Sequence, residues 1–470
     1  MAILLALLGC SQEYGIANPP REGGFVNQLD GTPEDTGTGG IIGSDPLSPD
    51  VTTQGVRFPI AFMQGTSPAL NGPAAFELWI ESESTTQAEI VSPQSDLALQ
   101  VSLQPGMNVV PLPDPQLEPV SSGFVFGVGL ELLTEAPVYA VAVHHRVGYS
   151  EASSLLPWPE LGVNYVVTAV ADTEELTPSA FVVLATEDET RVTITPSTST
   201  TDFRPPLVAY PVELQAGEVV QIQADGDLSG TKVTATKKVA VFAGGQEPVV
   251  DCDGPNHVWE QLPPLSRWAT DWLVTPWPEQ RYQYVNVLAA DAATTVSLNC
   301  DNAVTLGPNQ STRFRIQDAG RIRSNKPVLV TQLATGGTCE RNDDEAAIGD
   351  PNLLLAARTA LTREGPLALR PAEHPTLLEV VGSEDRTDRV VLWRDDDGSI
   401  DLQPPSARIN AWSVDDLVVE AAQLDGAATA SGPPLRGFVY GATEGNAYAY
   451  DIGVACSDCG PALREPALCD

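Results

Sequence analysis

Apolar and polar positions alternate in short runs along this chain, and the runs return in a fixed order. "FVVLATEDETRVTI" (181–194) opens with an apolar run, passes the polar residues Glu187 and Asp188, and ends with Val192 and Ile194 alternating against Arg191, Thr193 and Thr195. Further on, "VNVLAADAATTVSL" (285–298) repeats that layout around Asp291, with Val296 and Leu298 set against Thr295 and Ser297. Side chains that alternate with a period of two line opposite faces of a strand, so each segment reads as a half-buried β-hairpin with a polar turn. Looser copies stand at "FELWIESESTTQAEI" (76–90) and "LLEVVGSEDRTDRVVL" (377–392), which makes four candidate units.

Two further landmarks follow the first three hairpins. "LQPG" at Leu103, "LQAG" at Leu214 and "LGPN" at Leu306 each read as a turn before another strand. "APVYAVAVHH" at Ala136, "KKVAVFAGG" at Lys237 and "NKPVLVTQL" at Asn325 are apolar strands entered through Pro or Lys. Between units, "LLPWPELGVNYVVTA" (155–169) aligns with "QLPPLSRWATDWLVTP" (261–276), and Trp158, Tyr165, Trp268 and Trp272 in them read as core aromatics. Internal repetition of this kind marks a modular scaffold. The fold class expected is all-β, built of tandem repeated β-sandwich-like modules of roughly a hundred residues each. The alternative is a β-propeller in which each unit supplies two four-stranded blades. The module boundaries expected are 56–160, 161–260, 261–350 and 351–455, followed by a Cys-rich tail over 456–470.

The run "TKVTATKKVAVFAGGQEPVVDCDGPNHVWEQLPPLSRWATDWLVTP", then "YVNVLAADAATTVSL" and "GDPNLLL", places Cys252, the segment Gln261 to Pro264, Trp268 and Gly349 to Pro351 in one order. In that order the chain resembles the N-terminal domain family of IgGFc-binding proteins over Leu161 to Leu355. Such domains occur in secreted animal mucus proteins and in many bacterial surface proteins. The resemblance implies a binding role outside the cell, with antibody Fc as the ligand the family name points to. Fold alone does not carry a ligand from one member to another.

The N-terminal "MAILLALLGCSQ" resembles a bacterial lipoprotein signal over residues 1–10, in which Cys10 becomes the acylated N-terminus. No Lys or Arg precedes Arg21, although a signal ordinarily opens with positive charge. Residues 11–55, rich in Gly, Thr, Pro and Asp, read as a flexible tether. The localisation expected is the outer membrane or cell surface, held by lipid alone. Against 25 basic residues stand 62 acidic ones, a net charge of −37, which opposes any nucleic-acid partner. With 40 prolines and 39 glycines, many short strands joined by turns are favoured over helices.

Setting Cys10 aside, Cys252, Cys300, Cys339, Cys456, Cys459 and Cys469 are disulfide candidates in an oxidising compartment. Cys300 with Cys339 is the pairing expected, since they share a unit. The C-x-x-C spacing of Cys456 and Cys459 lacks a βαβ context or a neighbouring His and reads as a structural staple.

Catalytic motifs do not emerge. The four His residues (144, 145, 257, 374) form no H-E-x-x-H, and the adjacent His144 and His145 project to opposite faces of a strand. Neither a G-x-S-x-G elbow nor a P-loop occurs. Acidic pairs such as Glu187 with Asp188 fall in the repeated turn, where turn chemistry explains them. Asp395, Asp396 and Asp397 fail the EF-hand spacing around Gly398 and remain weak calcium candidates; otherwise no cofactor is expected.

The reading is therefore a non-enzymatic surface protein that binds an extracellular protein or glycan, as in adhesion or recognition. The loop from Cys252 to Trp259 is the contact expected, with Asp251, Asp253, His257 and Trp259 as binding residues. An exported hydrolase of polysaccharide or peptide and a structural envelope component are the alternatives.

Overall fold

The computed structural model describes residues 52–358, apart from 66–71, 340–349 and a few shorter stretches, and beyond them only the strands 387–395, 407–409, 412–419, 435–443 and 446–451. No α-helix occurs among the described residues; two single 3-10 turns, Trp158–Glu160 and Leu265–Arg267, are the helical content. The fold is all-β, with repeated sandwich-like modules.

In chain order the strands are β1 (Gly55–Ile60), β2 (Ala75–Ser82), β3 (Thr86–Val91), β4 (Ala98–Leu103), β5 (Gly106–Leu112), β6 (Val125–Phe126), β7 (Leu130–Arg146) and β8 (Tyr149–Ser154). All but β6 form the first sheet. The second contains β9 (Gly162–Val166), β10 (Ser179–Ala185), β11 (Thr190–Thr195), β12 (Tyr210–Leu214), β13 (Val219–Ala224), β14 (Lys232–Gly245) and β15 (Val258–Leu262), with β6 added at the edge of β13. The third contains β16 (Ala269–Val274), β17 (Gln283–Ala289), β18 (Thr294–Leu298), β19 (Asp301–Leu306), β20 (Ser311–Ile316), β21 (Gly320–Leu333), β22 (Leu353–Leu355) and β23 (Ala357–Arg358). The fourth is smaller, with β24 (Thr387–Asp395), β25 (Ala407–Ile409), β26 (Trp412–Val419), β27 (Leu435–Thr443) and β28 (Asn446–Asp451).

The first three sheets share one plan, and it corrects the hairpin reading. β10 and β11 do not pair with each other. Both run antiparallel to the long strand β14, β11 along Lys232 to Ala235 and β10 along Val239 to Gly245. β2 and β3 stand in the same relation to β7, as do β17 and β18 to β21. The polar segment between the two strands is thus a corner where the chain passes from one layer to the other. It is built alike in two units: Glu189 and Ala293 both have φ of 54°, and Thr190 and Thr294 donate from Oγ1 to the carbonyls of Glu187 (2.6 Å) and Asp291 (2.7 Å). The second landmark is a corner of the same kind, with Gly106, Gly217 and Asn309 each at positive φ. The opposite edge of each long strand takes β1, β9 or β16 with a register shift, the bulge that lets a curled sheet bend. One sheet of seven or eight strands per unit is a sandwich-like arrangement and not a pair of propeller blades.

Burial along the long strands explains the third landmark. The first half of β7, β14 and β21 alternates between buried and exposed positions, and the second half is buried throughout. Continuous burial arises because the layer is covered on both faces, the situation that turns an alternating strand into an apolar run. In β10, Phe181, Val183 and Ala185 face a core shared with Trp268, just before β16, and with Val285 and Val287 of the third sheet, while Ala180, Val182 and Leu184 face Phe58, Leu78 and Leu132 of the first. The second sheet is therefore the middle of a stack. Tyr165, Trp268 and Trp272 are core residues as expected, whereas half-buried Trp158 lies under the cations of Arg57 and Lys238.

Candidate binding surface

The segment between β14 and β15 begins outside and ends inside. Asp251 is exposed at φ 66°, in a tight turn closed by a bridge between Val250 and Cys252. Gly336 donates to the Val250 carbonyl (3.1 Å) and Cys339 to that of Gly336 (3.0 Å), which brings Cys339 beside Cys252. These two cysteines form a disulfide with Cα atoms 5.3 Å apart across 87 residues of sequence. The pairing of Cys300 with Cys339 is thereby corrected; Cys300 is disulfide-bonded too, but not to Cys339. A crosslink closing so long a loop restrains the unfolded chain by about 2–4 kcal/mol.

Against this turn lies an aromatic and cationic ladder on the third sheet. In "RYQYVNV", Tyr282, Tyr284 and Asn286 take one face while Val285 and Val287 enter the core; in "STRFRI", Arg313 and Arg315 take that same face while Phe314 packs against the core. β17 and β20 pair Tyr284 with Arg315 and Asn286 with Arg313, so all four side chains project together. The Arg315 guanidinium lies 3.6 Å from the Tyr282 ring centroid, and that of Arg313 lies 5.0 Å from Tyr284. The two tyrosine rings meet edge to face at 6.0 Å. Both hydroxyls donate to Asp251 Oδ2, Tyr282 at 3.1 Å and Tyr284 more closely still, and Arg313 Nε donates to Asn286 Oδ1 at 2.7 Å. Partial burial, and then the carboxylate of Asp251, push the Tyr284 phenol up to about 12 and raise that of Tyr282. Both therefore stay neutral donors at physiological pH. The arrangement can stack on or hydrogen-bond a partner, and it is held in place before any partner arrives.

The other end of the segment departs from expectation. His257 and Trp259 are fully buried, so in this structure neither presents a surface to a ligand. Trp259 stacks on Phe242 (5.2 Å between ring centroids) and packs against Phe62 (5.3 Å). The His257 ring lies edge to face with His144 (4.7 Å), and its Nδ1 is 2.9 Å from the Gln246 carbonyl oxygen. Burial, then the neighbouring His144, hold His257 down to about 3, so it is neutral. His144 Nε2 lies 2.7 Å from Glu118 Oε1, and Arg146 pairs with the other oxygen. Burial works to raise Glu118, but those partners win and hold it below the usual carboxylate range. This is a buried ionic knot between the first two sheets and not a docking face. Asp253, Cys10, Cys456, Cys459, Cys469, Asp396 and Asp397 lie outside the described residues, and Asp395 ends β24 opposite Trp412. Among the described residues, no three His, Cys, Asp or Glu side chains are grouped to hold a metal by themselves, and no helix is long and apolar enough to cross a membrane.

The model of the IgGFc binding protein family matches residues 151–409, more than half of the chain and all of the ladder. The chain belongs to this family. A human protein named IgGFc-binding protein is 30% identical over 217 residues, which are 45% of this chain and 4% of the human protein's length. This member of the family thus spans a small fraction of that relative. Sequence reasoning missed the Tyr282, Tyr284, Arg313 and Arg315 set, although the period of two in both strands carried half of the signal. Which strand pairs with which, and in what register, carried the other half.

Proposed function

We propose that this chain is a non-enzymatic binding protein displayed outside the cell, and that the ladder of Tyr282, Tyr284, Arg313 and Arg315 beside Asp251 is where it meets an extracellular protein ligand. The observation that supports this reading is composition joined to preorganisation. Tyr and Arg are the residues that dominate binding hot spots, and here the disulfide and Asp251 fix them in one geometry, which lowers the entropy lost on association. Membership of a family whose human relative is named for binding IgG Fc points the same way, and antibody Fc is the first ligand to try. Surface attachment through an acylated Cys10 and recognition of glycans belong to the same proposal. Hydrolysis is the weaker reading, because among the described residues the carboxyl groups that burial raises, Glu151 and Asp350, are 0% and 2% exposed and out of reach of a polymer.

The test is binding of the full chain to immobilised antibody Fc, mucin-type glycoproteins and polysaccharides, compared with a Tyr284→Ala, Arg315→Ala double variant. Saturable binding weakened at least about tenfold in the double variant, with thermal unfolding little changed, supports the surface. Equal binding by both proteins removes the ladder from the proposal. Cleavage of an immobilised polymer would move the weight to the hydrolase.

A further inference from the structure

At the junction of β8, β15 and the segment entering β22, Glu260 and Asp350 are buried within electrostatic reach of Glu151. Glu151, Glu260 and Asp350 are all buried, and each of the other two raises the charge cost of Glu151. Glu151 accepts from the backbone N–H of Leu353 (3.3 Å) and from that of Trp259, donors that favour an ionised carboxylate. The charged groups that act most strongly on Glu151 are themselves acids, Glu260 and Asp350. Ionised carboxylates in such a place cost several kcal/mol each unless something positive offsets them.

Two amides provide an independent sign. Asn256 and Asn352 are 0% exposed, and the Oδ1 atom of each has no hydrogen-bond partner, as is also true of Glu151 Oε2 and Asp350 Oδ2. Their amide nitrogens are committed: Asn256 Nδ2 donates to the carbonyls of Ser150 (3.3 Å) and Pro351 (2.9 Å), and Asn352 Nδ2 to that of Asp350 (2.9 Å). Asn256 therefore spans the residue before Glu151 and the residue after Asp350, between the two acids. Four buried acceptor oxygens from two carboxyls and two amides suit a hard cation, for which calcium takes mixed carboxylate and amide oxygens. Protons on the two acids would serve Glu151 Oε2 and Asp350 Oδ2 but not the amide oxygens Asn256 Oδ1 and Asn352 Oδ1, whereas one cation serves all four.

We propose that Glu151, Asp350, Asn256 and Asn352 form a structural calcium site that locks the first, second and third sheets together. The proposal is separate from the Tyr and Arg surface and stands whether or not that surface binds Fc.

The full, oxidised chain is stripped with EDTA and titrated with calcium chloride at pH 7.5, following thermal unfolding, calorimetry and terbium luminescence. Expected are saturable binding and a raised Tm, both weakened at least about tenfold in apparent affinity by Asp350→Asn or Glu151→Gln. Should those variants not fold, the parent chain still decides: no calcium-dependent shift in Tm and no bound terbium overturn the site. Calcium binding that both variants retain overturns it as well, since the ion then sits elsewhere. If instead Asp350→Asn stabilises the chain at pH 7.5 while calcium does nothing, protons neutralise the cluster and the proposal is wrong.

Discussion

Asp251, in the connection before β15, and Trp259, at the start of β15, are close in sequence, yet the chemistry around them is opposite. Asp251 sits outside at positive φ, tied to two tyrosine hydroxyls and a neighbouring disulfide; Trp259 sits between Phe62 and Phe242 with no exposed surface. The difference comes from what covers each end. β15 is sandwiched because the first sheet packs onto the second, whereas the ladder on β17 and β20 has its inner face in a core and its outer face in water. A tryptophan in a loop-like, Pro- and Gly-bearing stretch is therefore no guide to a binding face until the neighbouring sheet is in place.

The largest effect that could break this contrast is at Trp259. Trp259→Ala should cost about 3–5 kcal/mol of stability, read from chemical denaturation, because it empties a packed aromatic site. A loss below about 1 kcal/mol would mean that the residue is not in the core as described.

Next in size is a pH effect at the inner end. His257 is held at about 3 in the folded chain against its ordinary 6.5, so its contribution to stability is complete above pH 6.5 and is lost as pH falls towards 3. Glu118, held low by His144 and Arg146, adds a loss of the same sign below its ordinary value. Asp350 opposes both: burial raises it to about 7 from 3.8, so its contribution is present at low pH and disappears as pH climbs through that window. The informative comparison is therefore between proteins. Between pH 6.5 and 4.5, His257→Gln should lose less stability than the parent; identical slopes would refute the buried, neutral histidine.

The smallest effect belongs to the outer end. Tyr284→Phe should change stability by about 1 kcal/mol or less, since it removes one hydroxyl from a partly exposed carboxylate. In spectrophotometric titration it should abolish the phenol raised to about 12, with Tyr282, which shares Asp251, the one other tyrosine whose titration moves. A destabilisation as large as that of Trp259→Ala would show that the ladder is part of the core and not a surface.

Strand by strand, much of the scaffold was legible. Alternation at Arg191 to Thr195 and at Thr294 to Leu298, and the turns ending in Gly106, Gly217 and Asn309, are local facts written in residue type. The corners were misread as hairpins because a polar turn between two strands looks the same whether the chain doubles back or moves to the other layer. Only the long strand, dozens of residues downstream, distinguishes the two.

The sequence by itself determined which segments are strands, which positions within them face inward, and where the left-handed corners fall, because these follow from side-chain period and the steric demands of single residues. Tertiary structure alone decided that Cys252 meets Cys339, that Arg315 lies across Tyr282, and that Glu151, Asn256 and Asp350 share one buried junction. Each of those depends on pairing between residues far apart in the chain, and that pairing is chosen by the burial of whole faces rather than by any local signal.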